Sequence, residues 1–457
     1  MAERSIVRPV VGARRLNGGQ GFRFVLGIAM AGALGGLMFG FDIAIITGAG
    51  PLIAREFGLS HLALGWAFSS LLFGCVIGAA ITGPIADRIG RKAVMIFVAV
   101  AFAATMVATG LAPTFTAFII ARFLAGVAVG AVSLVAPLYI AEVAPAHIRG
   151  RLGALYQMSI VTGVLVSYIV NYALAGLGED SWRAMFISGI VPSALFLVLA
   201  LIVPDSPRYL VKAGQHARAR AILDRIDPVT ADAAMRDIEQ SLISSAAATR
   251  ANIGMRSLRR PLLISLVLAV LVHASGINTI IDYAPAILQS AGYSFDAALL
   301  STVGIGLANF VFTLISFFTI DRFGRRPVYV IGSFGMFAAV LGLIGAVLTD
   351  NFVGLPVFVL IIVYLLFFCS CIGPVFWTIL PELFPNDVRG RVLAYPVLTQ
   401  WVANAVVVLV FPYAFHEIGK LATFGVLAFA CLAQGFFAYS FMPETKNRSL
   451  ESLGAAA

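Results

Sequence analysis

Charge is scarce along this chain: Asp, Glu, Lys and Arg together make up only 12% of its 457 residues. The water-facing surface of a soluble domain needs roughly twice that density, so an ordinary soluble fold is excluded. Cysteine is scarce too. Cys75, Cys369, Cys371 and Cys431 each lie inside an apolar run, where a thiol serves as a small packing residue and not as part of a disulfide framework. The sequence has no paired metal-ligand spacing, no phosphate-cradling glycine loop and no nucleophile elbow. It therefore carries no signal for a resident metal or cofactor, for a nucleotide-driven pump or for enzymatic catalysis.

What fills the chain is apolar. Hydrophobic residues reach 60% and the mean hydropathy is +0.97. Runs of about 20 apolar residues, enough to cross a bilayer as helix, recur near 24–48, 62–86, 93–111, 115–141, 151–175, 183–203, 260–290, 297–319, 327–348, 353–381, 392–416 and 420–442. The expectation is an all-α membrane protein with twelve transmembrane helices. Arg4, Arg8, Arg14, Arg15 and Arg23 resemble a targeting segment. The apolar run behind them is too long for a signal peptide core, so it reads as a retained first helix.

The chain also repeats itself. Asp87-Arg88-Ile89-Gly90-Arg91-Lys92 returns as Asp321-Arg322-Phe323-Gly324-Arg325-Arg326. The segment from Glu142 to Arg149-Gly150-Arg151 returns from Glu382 to Arg389-Gly390-Arg391, and Pro204-Asp205-Ser206 is echoed by Pro443-Glu444-Thr445. Each offset is about half the chain, the signature of two parallel halves with a site between them. Residues 1–203 then form one six-helix bundle and 260–457 a second with a short tail. With both termini placed inside, every Lys and Arg falls on the cytoplasmic side except Arg55, Arg122, Arg183 and Lys420. That is the positive-inside pattern; the net charge of +9 thus reflects topology and implies no nucleic-acid partner. Residues 204–259 read as a cytoplasmic connector. Ile222, Leu223 and Ile226, then Met235, Ile238 and Leu242, recur at the spacing of short amphipathic helices.

Pro204-Asp205-Ser206-Pro207-Arg208-Tyr209-Leu210, Pro443-Glu444-Thr445-Lys446, and the paired Asp-Arg-x-Gly-Arg and Glu-x-x-Pro-x-x-x-Arg-Gly-Arg segments resemble the signatures of the sugar porter family of the major facilitator superfamily. Within that family the chain resembles bacterial proton-coupled sugar symporters. The resemblance covers nearly the whole chain. It implies the major facilitator fold, two six-helix bundles with a cytoplasmic helical connector, and sugar translocation by alternating access.

Three groups of residues follow. Arg91, Glu142 and Arg149, with Arg325, Glu382 and Arg389, occupy matching places in the halves. They read as a cytoplasmic gate of ion pairs, each worth about 0–1 kcal/mol when exposed, or as topology and capping residues only. Within the membrane, where an unpaired charge costs about 2.5–3.5 kcal/mol or more, stand Asp42 and Arg122. Burial favours the protonated acid and Arg122 the carboxylate, so the pair could couple transport to protons; the resemblance implies the same of an Asp at this place. The alternative is a static ion pair. Sugar hydroxyls call for amides and aromatic faces, and Phe39, Gln157, Asn278, Asn309, Gly373, Trp377, Gln400 and Trp401 match, or fit beside, the family's sugar-binding positions. Each amide could equally hold helices together. Pro285 and Pro374 are expected to break or bend their helices.

The seventh span departs from the resemblance. Val272 and His273 replace an expected Gln-Gln pair, and Asp282-Tyr283 replaces paired tyrosines. These departures open the expected substrate to a polyol, amino sugar or sugar derivative as well as a simple sugar. His273 is open to a pH-sensing or a plain hydrogen-bonding role; Asp282 to a second proton site, a partner for a cationic substrate, or a lid-closing residue. The function expected is proton-coupled import of a sugar or sugar-like polyol. The alternatives are a facilitator, a symporter of a non-sugar solute such as an organic acid, and a solute sensor. A monomer in a bacterial inner membrane suffices. The sole Asn-x-Ser triplet, Asn447-Arg448-Ser449, falls in the cytoplasmic tail.

Overall fold

The computed structural model describes residues 19–145, 148–250, 255–384 and 392–445. The amino-terminal arginines before Arg23, Arg389 and the Asn447 triplet lie outside the described residues, as do the side chains of Arg149 and Asp321. The described residues contain twelve segments long and apolar enough to cross a membrane. In chain order the first bundle comprises α1 (Gly19–Glu56), α2 (His61–Ile89), α3 (Arg91–Gly110), α4 (Phe115–Val143), α5 (Arg149–Leu174), α6 (Ser181–Ile187) and α7 (Ile190–Ile202). Three connector helices follow: α8 (Pro207–Lys212), α9 (His216–Ile226) and α10 (Ala231–Arg250). The second bundle comprises α11 (Met255–Ala274), α12 (Ile277–Asp282), α13 (Ala284–Ser290), α14 (Phe295–Phe323), α15 (Arg325–Leu348), α16 (Gly354–Phe367), α17 (Gly373–Glu382), α18 (Ala394–Tyr413) and α19 (Lys420–Phe441).

Three expected single spans are broken. The sixth is divided into α6 and α7 around Ser188 and Gly189. The seventh is divided twice: Gly276 takes a left-handed φ of 91° that starts α12, and Pro285 sits in the first turn of α13. The tenth is interrupted by a π-turn over Phe368–Ile372, after which Pro374 lies in the first turn of α17. A proline in a first turn has no intrahelical N–H to lose, so these sites are where a span can restart in a new direction. Such breaks are tolerated in a membrane only where protein or a cavity satisfies the freed backbone groups.

The connector helices form the amphipathic layer that the spacing predicts. Leu210, Val211 and Ala219 are buried with Tyr209, Ile222, Met235, Ile238 and Leu242 packed on them. The layer meets α1, where the Arg225 guanidinium lies 4.1 Å over the Phe24 ring. On its exposed side Arg220 hydrogen-bonds Asp224 and Asp232. The Arg220 bond holds the Asp232 carboxyl below its ordinary range, so this pair persists at neutral pH and is lost only as the pH falls through the acid range.

Backbone-close contacts set the spacing inside the first bundle. A Cβ on Gly40 would stand 1.9 Å from the Ile160 carbonyl oxygen, and one on Gly163 2.1 Å from that of Leu37, locking α1 to α5. Gly74, Gly78, Gly126 and Gly130 do the same between α2 and α4. Small residues of this kind drive association where lipid removes the hydrophobic incentive. Gly40→Val is therefore expected to force α1 and α5 apart and to cost about 1–3 kcal/mol. A lowered thermal midpoint in detergent, with Gly153→Val as the open-space control, checks it.

Candidate functional site

The two bundles meet most tightly at the face away from the connector. There the Phe68 ring of α2 lies 4.3 Å from that of Tyr283, which stacks at 5.2 Å on Phe411 of α18. Tyr283 donates its hydroxyl to the Val408 carbonyl at 3.1 Å. A Cβ on Gly65 would come within 1.9 Å of the Leu409 carbonyl oxygen, so α2 and α18 touch backbone to backbone. At the rim His61 Nδ1 is 2.8 Å from Glu417 Oε1, and the His61 and His416 rings stack at 4.2 Å. Neither histidine stood out in the sequence, because the residues that meet are some 356 positions apart. This far side is shut.

Beneath that seal lies the polar set. Phe39 of α1 meets Trp401 of α18 edge-on at 5.9 Å, one aromatic from each bundle. His273 Nε2 and Gln400 Oε1 are 3.0 Å apart. With the proton on Nε2, histidine donates to the amide oxygen and leaves the Gln400 amide nitrogen free to donate elsewhere. His273 Nδ1 is buried without a partner. Asn309 Oδ1 accepts from the Cys369 thiol at 3.2 Å, beside the π-turn that precedes Gly373. Gln157 and Asn278 are half-buried on α5 and α12. Trp377 is not brought against the others: it is 48% exposed and meets Phe376 edge-on at 5.5 Å. Of the predicted set, the structure thus pairs Phe39 with Trp401 and His273 with Gln400, and Gln400 and Trp401 are neighbours on α18.

Asp42 and Arg122 lie deeper in the first bundle, both fully buried and hydrogen-bonded to each other. Arg122 Nη2 also reaches the Asp42 carbonyl at 3.4 Å, and its guanidinium sits 5.1 Å over the Phe186 ring. One carboxylate oxygen, Asp42 Oδ2, has no hydrogen-bond partner. The pair therefore has one free lone-pair position for a proton, and the aromatic face offers the arginine partial compensation if the carboxylate is neutralised.

At the connector face the repeated motifs build the same device twice. Arg91 Nη2 bonds Glu142 at 2.8 Å and Asp87 at 3.0 Å; Arg325 Nη2 bonds Glu382 at 3.3 Å. All three carboxylate partners belong to the arginine's own bundle, so these pairs tie helices within each bundle. The role of the third motif was not legible in the sequence. Asp205 Oδ1 accepts from the backbone N–H groups of Arg91 at 3.0 Å and Lys92 at 3.4 Å, capping α3. Glu444 accepts from Arg325 and Arg326, both at 3.1 Å, capping α15. Each carboxylate crosses over Gly90 or Gly324, where a Cβ would collide with it and φ is 95° or 90°. An acid at the start of a helix satisfies unpaired donors and the positive end of the dipole.

Three comparisons bear on the chain. Residues 28–456 match the family described as "Sugar (and other) transporter". A D-xylose transporter of Levilactobacillus brevis is 35% identical over 433 residues, covering 93% of this chain and 94% of that one. The D-xylose-proton symporter of Escherichia coli (strain K12) is 34% identical over 471 residues, covering 94% and 95%. Among solved structures, the xylose transporter XylE from E. coli in its inward open conformation aligns with a TM-score of 0.84 at 32% identity, over 95% of this chain and all of that one.

Asp205→Ala is expected to remove the cap of α3 and cost about 0.5–2 kcal/mol. Asp232→Ala, on the exposed connector surface, leaves the midpoint unchanged; paired thermal melts compare them.

Proposed function

Because the chain belongs to the Sugar (and other) transporter family, we propose that it imports a sugar or sugar-like polyol together with protons by alternating access. It is a multi-pass membrane transporter and not an enzyme, as its family and its structural neighbour are. In this reading the connector face is cytoplasmic, as the arginine and lysine distribution supports, and the membrane is a bacterial inner membrane. The shut far side then makes the present state inward-facing. The single observation that carries proton coupling is the sealed Asp42–Arg122 pair with one unpartnered carboxylate oxygen. The D-xylose-proton symporter relative supports the same conclusion.

The residues divide the work. Phe39 and Trp401 offer aromatic faces to the apolar side of a sugar ring, one from each bundle. Gln400, held by His273, presents an amide nitrogen to a hydroxyl, and Gln157, Asn278 and Asn309 supply further amides. Gly373 and Trp377 sit where α17 restarts, and their part is to move with that segment. A proton on Asp42 weakens its bond to Arg122, so loading from outside and release inside are tied to how α1 and α4 are held. Arg91, Glu142, Arg325 and Glu382 keep each bundle's cytoplasmic end rigid while the bundles rock, and Arg149 and Arg389 complete the cytoplasmic gate when that side closes.

Asp42→Asn is expected to abolish uphill, proton-driven accumulation in proteoliposomes while sugar counterflow persists. Accumulation unchanged in this variant would sink the coupling role and leave a facilitator with a structural ion pair. His273→Phe is expected to raise the half-saturating sugar concentration about tenfold, the worth of one oriented hydrogen bond, read as concentration-dependent uptake across pentoses, hexoses, inositols and amino sugars.

A further inference from the structure

Asp282 ends α12 at the outer seam between the bundles and is only 6% exposed. Its side chain faces a cavity of about 20 Å³ whose wall from the opposite bundle is Thr47, Gly50, Pro51, Leu64 and Phe68. That volume admits one water. Among the described residues no hydrogen bond or ion pair reaches this carboxyl. The hydroxyls of Thr47 and Tyr168 approach each other nearby, yet neither has a partner in hydrogen-bonding geometry.

The charged and titratable groups around it are few. From α4 comes Arg122, from α5 Tyr168, and from its own segment Tyr283. Arg122 is already hydrogen-bonded to Asp42. One cation therefore stands among two buried acids, and it is committed to the other one. A bare carboxylate in an apolar seam is unfavourable unless something pairs with it. With the outer side shut, the cavity beside Asp282 leaves it room for about one water in place of bulk solvent, so closure disfavours the bare carboxylate.

We propose that Asp282 is a second protonation site, on the outer gate, which must take up a proton for the external side to close and returns it to the external solution when that side opens. The bond made and broken is a single carboxyl O–H, and water at the external face is the donor and acceptor. The inference rests on the alternating-access reading but not on Asp42 carrying the coupled proton. It gives the seam a direct dependence on external acidity: alkaline solution holds the gate open and acid solution lets it shut.

The test reads the gate and not transport. Nitroxides are placed on the far-face residues Leu177 and Val353, one in each bundle and both exposed, through Leu177→Cys and Val353→Cys. Interspin distances are measured in nanodiscs from about pH 6 to about pH 9 in an Asp42→Asn background, where Asp42 no longer titrates. The far-open to far-shut ratio is expected to rise about tenfold per pH unit above its midpoint. Adding Asp282→Asn should leave the gate shut at every pH, and Asp282→Glu should keep the transition with a moved midpoint. A ratio flat with pH before Asp282 is touched overturns the proposal without needing any variant at 282 to fold. So does a transition that survives Asp282→Asn unchanged. Should proton-driven uptake by the wild type fail while this gate transition stands, the coupling role of Asp42 is lost and the role of Asp282 is kept.

Discussion

Lipid tails solvate an apolar helix nearly as well as another helix does, so the bundles cohere through close backbone approach at small residues. In the first bundle the carbonyls of Ile160, Leu37, Leu71 and Val127 occupy the places where side chains of Gly40, Gly163, Gly126 and Gly78 would have to go. These contacts cannot stretch gradually; they are either made or lost. Each bundle therefore moves as a body, and motion is directed to the seam between them. At that seam one such approach, Gly65 against the Leu409 carbonyl, is joined by contacts of another kind: ring on ring at Phe68, Tyr283 and Phe411, and an exposed imidazole–carboxylate pair at His61 and Glu417. They are weaker individually and separable, as a surface that must open and close requires.

The same low-dielectric setting gives the few buried charges their meaning. In water Asp42 and Arg122 would be an ordinary pair worth little. With no exposure at either side chain, adding or removing one proton changes how strongly α1 is held to α4. In the proposed mechanism, local charge and large-scale motion are linked through this pair.

The twelve spans, the two halves and the amphipathic connector were legible because they rest on composition, periodicity and repetition. The breaks were partly legible: Pro285 and Pro374 marked two of them, and the break at Ser188–Gly189 lies one turn before Pro192, which has no N–H to give the Ser188 carbonyl. Gly276 was unmarked because a glycine's need for a left-handed φ depends on where the chain must go next. Of the site, the types of residue could be read but not their pairing. His273 and Gln400 are 127 positions apart, and nothing local to either says that they touch. For Asp282 three roles were open at the sequence level; burial beside a cavity, with the nearby cation already engaged, is what supports the proposed one.

The carboxylates that cap α3 and α15 reach them from the far end of each half, 114 residues along in one case and 119 in the other. A chain emerging from the ribosome makes the third and ninth spans long before the acid that finishes them. Until Asp205 or Glu444 arrives, the first turn of each of those helices keeps bare amide donors at the membrane surface. The caps of both helices therefore form only after the last span of each half has been made.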